Sequence, residues 1–128
     1  MGNMVKKEEY GTDKHILIAN NSYMVTLPAV ILQQGSIEDI YGKRIIKAGT
    51  PLSGNIKKRQ LGFKELGLEE TPSCILLHDV DVTDGDSNGT IVIAGVVDLL
   101  KLDEGVVSKI QANETNLPRI IFVEGSAI

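Results

Sequence analysis

The chain contains no tryptophan, a single cysteine and two histidines in 128 residues. One cysteine, Cys74, excludes an internal disulfide framework and a zinc cluster built on cysteines. It stands in the apolar run Cys74-Ile75-Leu76-Leu77, so it reads as a small buried hydrophobe rather than a nucleophile. With His15 and His78 as the only histidines, nothing in the spacing supports a two-histidine metal centre. No stretch approaches the roughly 20 apolar residues of a membrane span. The polar start, Met1 to Asp13, has no signal-peptide apolar region. A soluble chain made in a cytoplasm, without a membrane partner, is therefore expected. The formal charge is −4, and the longest basic run is only Lys57-Lys58-Arg59. Phosphate binding needs a basic field, so nucleic acid is not an expected partner. Five aromatic residues, not interleaved with basic ones, provide no stacking platform for a single strand. The glycines near Gly49 and Gly54 lack the spacing of a phosphate loop.

What is abundant is β-branched: isoleucine and valine together number 26. Such a composition favours strands, and the length suits one domain that needs no disulfide or metal to hold a core. Residues 1–14 carry little to bury and read as a mobile arm, followed by one β-rich domain over 15–128. Short strands are expected at His15–Ala19, Tyr23–Leu27 (limited by Pro28), Ala29–Leu32 and Arg44–Lys47. Ser53 to Pro72 reads as mostly loop, with one helical turn at Phe63–Leu66. Two long apolar runs, Ser73–Val82 and Thr90–Leu100, flank the turn cluster 83–89 and read as a hairpin. A short helix is expected near 103–111, with Asp103 as N-cap and Val106, Val107 and Ile110 as its apolar stripe. Pro118 opens a last strand, Arg119–Val123. The expected fold class is mainly β (α+β), a small compact β-barrel or β-tulip-like domain.

Residue types that carry chemistry are sparse. Asp84-Gly85-Asp86-Ser87-Asn88-Gly89 matches the first half of a calcium loop, with Asp84, Asp86 and Asn88 as alternating oxygen ligands. The twelfth position is Gly95 where a bidentate glutamate belongs, and the flanks read as strands. A solvated hairpin turn is the simpler reading, and no metal is expected. His78-Asp79 resembles part of a catalytic triad. Strand neighbours point to opposite faces, however, and Ser36 lacks the second glycine of a nucleophile elbow. No enzyme and no cofactor are expected.

The order of four pieces is informative. Ile46-Lys47-Ala48-Gly49-Thr50-Pro51-Leu52 is followed by Ser73-Cys74-Ile75-Leu76-Leu77-His78-Asp79-Val80-Asp81-Val82. Then come Ile91-Val92-Ile93-Ala94-Gly95-Val96-Val97-Asp98 and Leu117-Pro118-Arg119-Ile120-Ile121-Phe122-Val123. Over roughly residues 44–123 this succession resembles the lambda-like head-decoration (capsid-stabilising) proteins of tailed bacteriophages. The resemblance implies a homotrimer on the outer capsid surface of the virion, assembled in the host cytoplasm, with the major capsid protein as partner. It also implies an N-terminal arm that pairs with capsid strands, here assigned to His15, Ile16, Leu17 and Ile18 with the residues before them. Trimer contacts are expected at Gly49, Thr50, Pro51, Leu52, His78, Asp79 and Val96. Two alternatives stand beside this reading. One is another virion-surface module, such as the capsid-bound base of a head fibre; the other is a small ligand-binding or hydrolytic β-barrel.

Overall fold

A computed structural model describes residues 16–17, 23–67 and 69–125. The architecture is mainly β with one α-helix among the described residues. In chain order the strands are β1 (Val25–Ile31), β2 (Ile45–Ile46), β3 (Pro51–Ser53), β4 (Lys64–Glu65), β5 (Cys74–Leu76), β6 (Val80–Asp81), β7 (Ser87–Asp98) and β8 (Ile120–Val123). The helix α1 is Glu104–Asn113.

The main sheet runs β1-β7-β5-β3-β4, with β8 added parallel to the far half of β7; β2 and β6 form a separate pair. Strand β5 explains why the described residues form two apolar clusters. Its neighbours alternate across the sheet, so Ile75 enters one cluster while Cys74 and Leu76 enter the other. The first cluster lies beneath α1, which contributes Val106 and Ile110. The second is covered by the β2–β6 pair through Ile46 and Val80, with Leu52 and Phe63 at its centre. A sheet buried on both faces needs near-continuous apolar runs, as in Cys74–Leu76 and Ile91–Val92.

Strand β7 serves both clusters along its length. Val25 lies opposite Ala94 but Thr26 lies opposite Val92, a bulge that leaves Ile93 unopposed. The slip changes the face parity, so Val97 joins Val92 in the helix-side cluster.

Several elements depart from the sequence expectation. Strand β1 runs through Pro28. Phe63 donates to Val30 O at 2.9 Å and accepts from Leu32 N at 2.8 Å on the outer edge. Alternation then turns the missing N–H of Pro28 outward as well, where no ladder bond is lost. The Arg59 guanidinium covers the Pro28 carbonyl at 2.7 Å. Phe63–Leu66 is not a helical turn but holds β4. A 3-10 segment lies instead at Ile56–Leu61, where Asn55 caps Lys57 N at 2.9 Å. The apolar stretch 73–82 breaks at residues 77–79. Its first part pairs with β7 and its second with β2, so the expected long hairpin is two separate pairings. The sheet does not close into a barrel: among the described residues, beyond β4 it meets β1 only at the single parallel bridge Ile31–Phe63.

The helix forms where expected. Asp103 makes no side-chain cap, however; its carboxylate lies 3.6 Å from Lys47 Nζ, with both groups about half exposed. Such a pair contributes little.

Candidate functional site

The structure redistributes the residues singled out in the sequence. Ile16 is fully buried in the helix-side cluster, and its carbonyl accepts from Asp98 N at 2.8 Å. Leu17 bridges Val97. These two residues are therefore part of the domain's own sheet and not of a free arm, which is a correction. His15, Ile18 and residues 1–14 lie outside the described residues.

Gly49, Thr50, Pro51 and Leu52 are also corrected as subunit contacts. Strand β3 is interior, paired with β4 on one side and β5 on the other. Leu52 has no exposed surface and Thr50 almost none. The Thr50 hydroxyl donates to Lys47 O at 2.7 Å, and Gly49 N–H donates to Leu76 O at 2.7 Å. Gly49 has φ +90°, and a Cβ there would stand 2.7 Å from a Leu102 methyl. The backbone must approach α1 closely at this point, which only glycine allows.

His78 and Asp79 fall in the turn between β5 and β6 rather than in a strand. The Asp79 carboxylate accepts from Ala48 N at 2.7 Å, so it holds its own subunit together. Val96 is half-buried on β7 beside Ile121, which is 50% exposed, and this pair stays accessible.

The turn at 84–88 does not wrap into a cation cage. Asp86 Oδ1 accepts from Gln33 N at 2.9 Å, and Asn88 already belongs to β7 opposite Val30. Among the described residues no group of three or more His, Cys, Asp or Glu side chains is placed to hold a metal. Cys74 is buried as expected, and desolvation pushes its thiol up to about 12, far from thiolate formation at neutral pH.

The surface feature that sequence reasoning missed is the loop between β1 and β2. Ile37, Ile40 and Tyr41 are 78%, 90% and 82% exposed. The loop is nevertheless built rigidly. Asp39 Oδ1 accepts from Tyr41 N at 2.8 Å and Lys43 N at 2.9 Å, while Asp39 N donates to Lys43 O at 2.7 Å. At its base the Arg44 guanidinium donates to Ser36 O at 2.6 Å. Three large apolar side chains are thus held in water on a hydrogen-bonded loop. The only signal in the sequence was apolar residues of no helical or strand period set among Ser36, Glu38, Asp39 and Gly42.

Ile37 also forms one wall of a cleft of about 240 Å³ beneath α1. That cleft shares Thr50, Glu65 and Lys109 with a larger one of about 390 Å³ between β3–β4 and α1. The Lys109–Glu65 ion pair, 3.1 Å, stands where the two meet. No protein-family model matches the chain, and no curated protein matches it.

Proposed function

We propose that the chain is a capsid decoration protein. As a homotrimer it binds the outer surface of a tailed-phage head, at threefold and quasi-threefold positions of the major capsid protein, and stabilises the shell. One observation carries the reading. The four sequence pieces that resemble the lambda-like decoration proteins are the pieces that pair with one another: β2 with β6, β3 with β5, β5 with β7, and β7 with β8. Pieces scattered over some 80 residues thus act as one scaffold, as a shared fold requires.

The exposed loop supports an adhesive role for that scaffold. Burying a large apolar side chain contributes about 1.5–3 kcal/mol. Ile37, Ile40 and Tyr41 can therefore offset part of the cost of association, and their fixed backbone leaves little ordering entropy to lose. Three linked subunits raise the effective concentration of each contact, so modest single-site affinity becomes tight retention. The work done is mechanical: neighbouring shell subunits are held together and no substrate is turned over.

The test is co-sedimentation of the purified protein with expanded, undecorated heads of the virus that encodes it. The protein is expected to pellet with the heads, and the doubly substituted Ile40→Ser, Tyr41→Ser protein to bind on the order of tenfold more weakly while staying folded. Wild-type protein left in the supernatant would contradict the proposal.

A further inference from the structure

Two dipeptides prone to succinimide chemistry lie close together, Asp84-Gly85 and Asn88-Gly89. In an unconstrained chain Asn-Gly is the more reactive, because ammonia leaves readily and the following glycine offers no steric hindrance. The structure reverses that order.

Asn88 and Gly89 lie inside β7, with Gly89 opposite Ala29 of β1. Val30 and Leu32 turn their backbone groups outward to Phe63, so alternation turns those of Ala29 inward. Ala29 and Gly89 are then a hydrogen-bonded pair, and the Gly89 nitrogen is held in the ladder. The backbone is also pressed close: a Cβ on Gly89 would stand 2.7 Å from Ile31 and 3.0 Å from Val80. The peptide plane cannot rotate to bring this nitrogen over the Asn88 side chain.

Asp84-Gly85 is free of these constraints. Asp84 is exposed, and a Cβ on Gly85 would meet nothing within 4 Å. The Gly85 nitrogen makes a single turn bond to Val82 O at 3.1 Å. We infer that the folded protein ages at Asp84-Gly85, and that Asn88-Gly89 reacts only when β1 separates from β7.

In the reaction the Gly85 nitrogen attacks the side-chain carboxyl carbon of Asp84. A carbon–nitrogen bond forms, the amide proton is released, and the carboxyl oxygen leaves as water. Hydrolysis of the resulting ring adds water back and breaks one of its two carbon–nitrogen bonds. One product is aspartate. The other is isoaspartate, with the main chain lengthened by one carbon beside Asp86, whose carboxylate anchors Gln33. At Asn88 the same ring would form with loss of ammonia, leaving a deamidated residue.

The test ages the full-length protein at neutral pH and 37 °C, folded and in denaturant, and maps both sites by peptide mass spectrometry with isoaspartate methyltransferase labelling. In the folded protein isoaspartate is expected at residue 84, with Asn88 deamidation slowed on the order of tenfold or more relative to the denatured chain. Asp84→Glu, an exposed turn substitution, is expected to abolish the isoaspartate signal and leave Asn88 protected. Deamidation of Asn88 at similar rates in both states would overturn the inference. So would an unmodified Asp84 in folded protein aged until the denatured sample is fully converted at Asn88.

Discussion

The hydroxyl of Tyr23 donates to the carbonyl oxygen of Arg119 at 2.7 Å, and that same oxygen receives the Gly95 N–H at 3.2 Å. Gly95 N–H points to the β8 side of β7, while Asp98 N–H points to Ile16 on the other side. Tyr23, which leads into β1, thus reaches across β7 at the residue that has no side chain to obstruct it. Tyr23→Phe keeps the ring and removes the bond. The expected loss is about 0.5–1 kcal/mol, at the low end for a neutral hydrogen bond because Tyr23 is 45% exposed. Thermal melting should fall by roughly 2–6 °C. An unchanged Tm would mean that this bond does not join the two halves of the sheet.

Gly49 joins the helix to the sheet. Gly49→Ala forces a side chain into left-handed backbone with a Cβ 2.7 Å from Leu102 and 3.2 Å from Val106. The expected cost is about 1–3 kcal/mol, from strain and overpacking together. Urea unfolding measures it; a loss below the error of the midpoint would contradict the close packing of α1 on the 48–52 turn.

Acid is expected to loosen the molecule through two carboxylates. The Lys64 ammonium, 2.8 Å away, holds Glu70 below its ordinary value of 4.5, helped by Gly67 N–H. The Thr83 hydroxyl, then its N–H, holds Asp81 below 3.8. A lowered folded-state pKa means the unfolded chain takes up the proton first as pH falls. The stability these groups contribute is therefore present above 4.5 and 3.8 respectively, and lost as pH drops through the lower folded values. Both groups are near the surface, so each effect is small. Urea midpoints should begin to fall below about pH 4.5, and the fall should be shallower in Glu70→Gln and Asp81→Asn. Equal slopes in all three proteins would assign acid sensitivity elsewhere.

Light scattering is expected to give a mass near three times 13.8 kDa. With Leu52 buried and Asp79 bonded within the subunit, Val96 is, like His78, an expected contact that stays partly accessible. Val96→Asp should shift the mass toward 13.8 kDa with the circular dichroism unchanged. A wild-type monomer would contradict the trimer; a trimer unaffected by the substitution would place the contact away from β7–β8.

Period made much of this fold legible. Val106, Val107 and Ile110 mark α1 within two residues at either end, whereas the run 90–100 marks only the body of β7: Ser87–Gly89, expected in the turn, already belong to the strand, which ends at Asp98 before the 3-10 turn Leu99–Lys101. The misreadings have local causes. Pro28 reads as a strand end in the sequence because the outward turn of its nitrogen depends on Phe63, far along the chain. The break at 77–79 was hidden because a buried sheet strand and a strand leaving it are equally apolar. The same ambiguity misplaced Leu52: an apolar residue in a core and one in a subunit contact carry the same sequence signal, and only burial separates them. Ile37, Ile40 and Tyr41 went unnoticed for the opposite reason, since isolated apolar residues in a polar loop have no period.

The most direct measurement is a cryo-electron microscopy map of expanded heads incubated with the purified protein. The account predicts trimeric density on the outer surface at the threefold and quasi-threefold positions, absent from heads alone. Heads that bind no such density at saturating protein would contradict it.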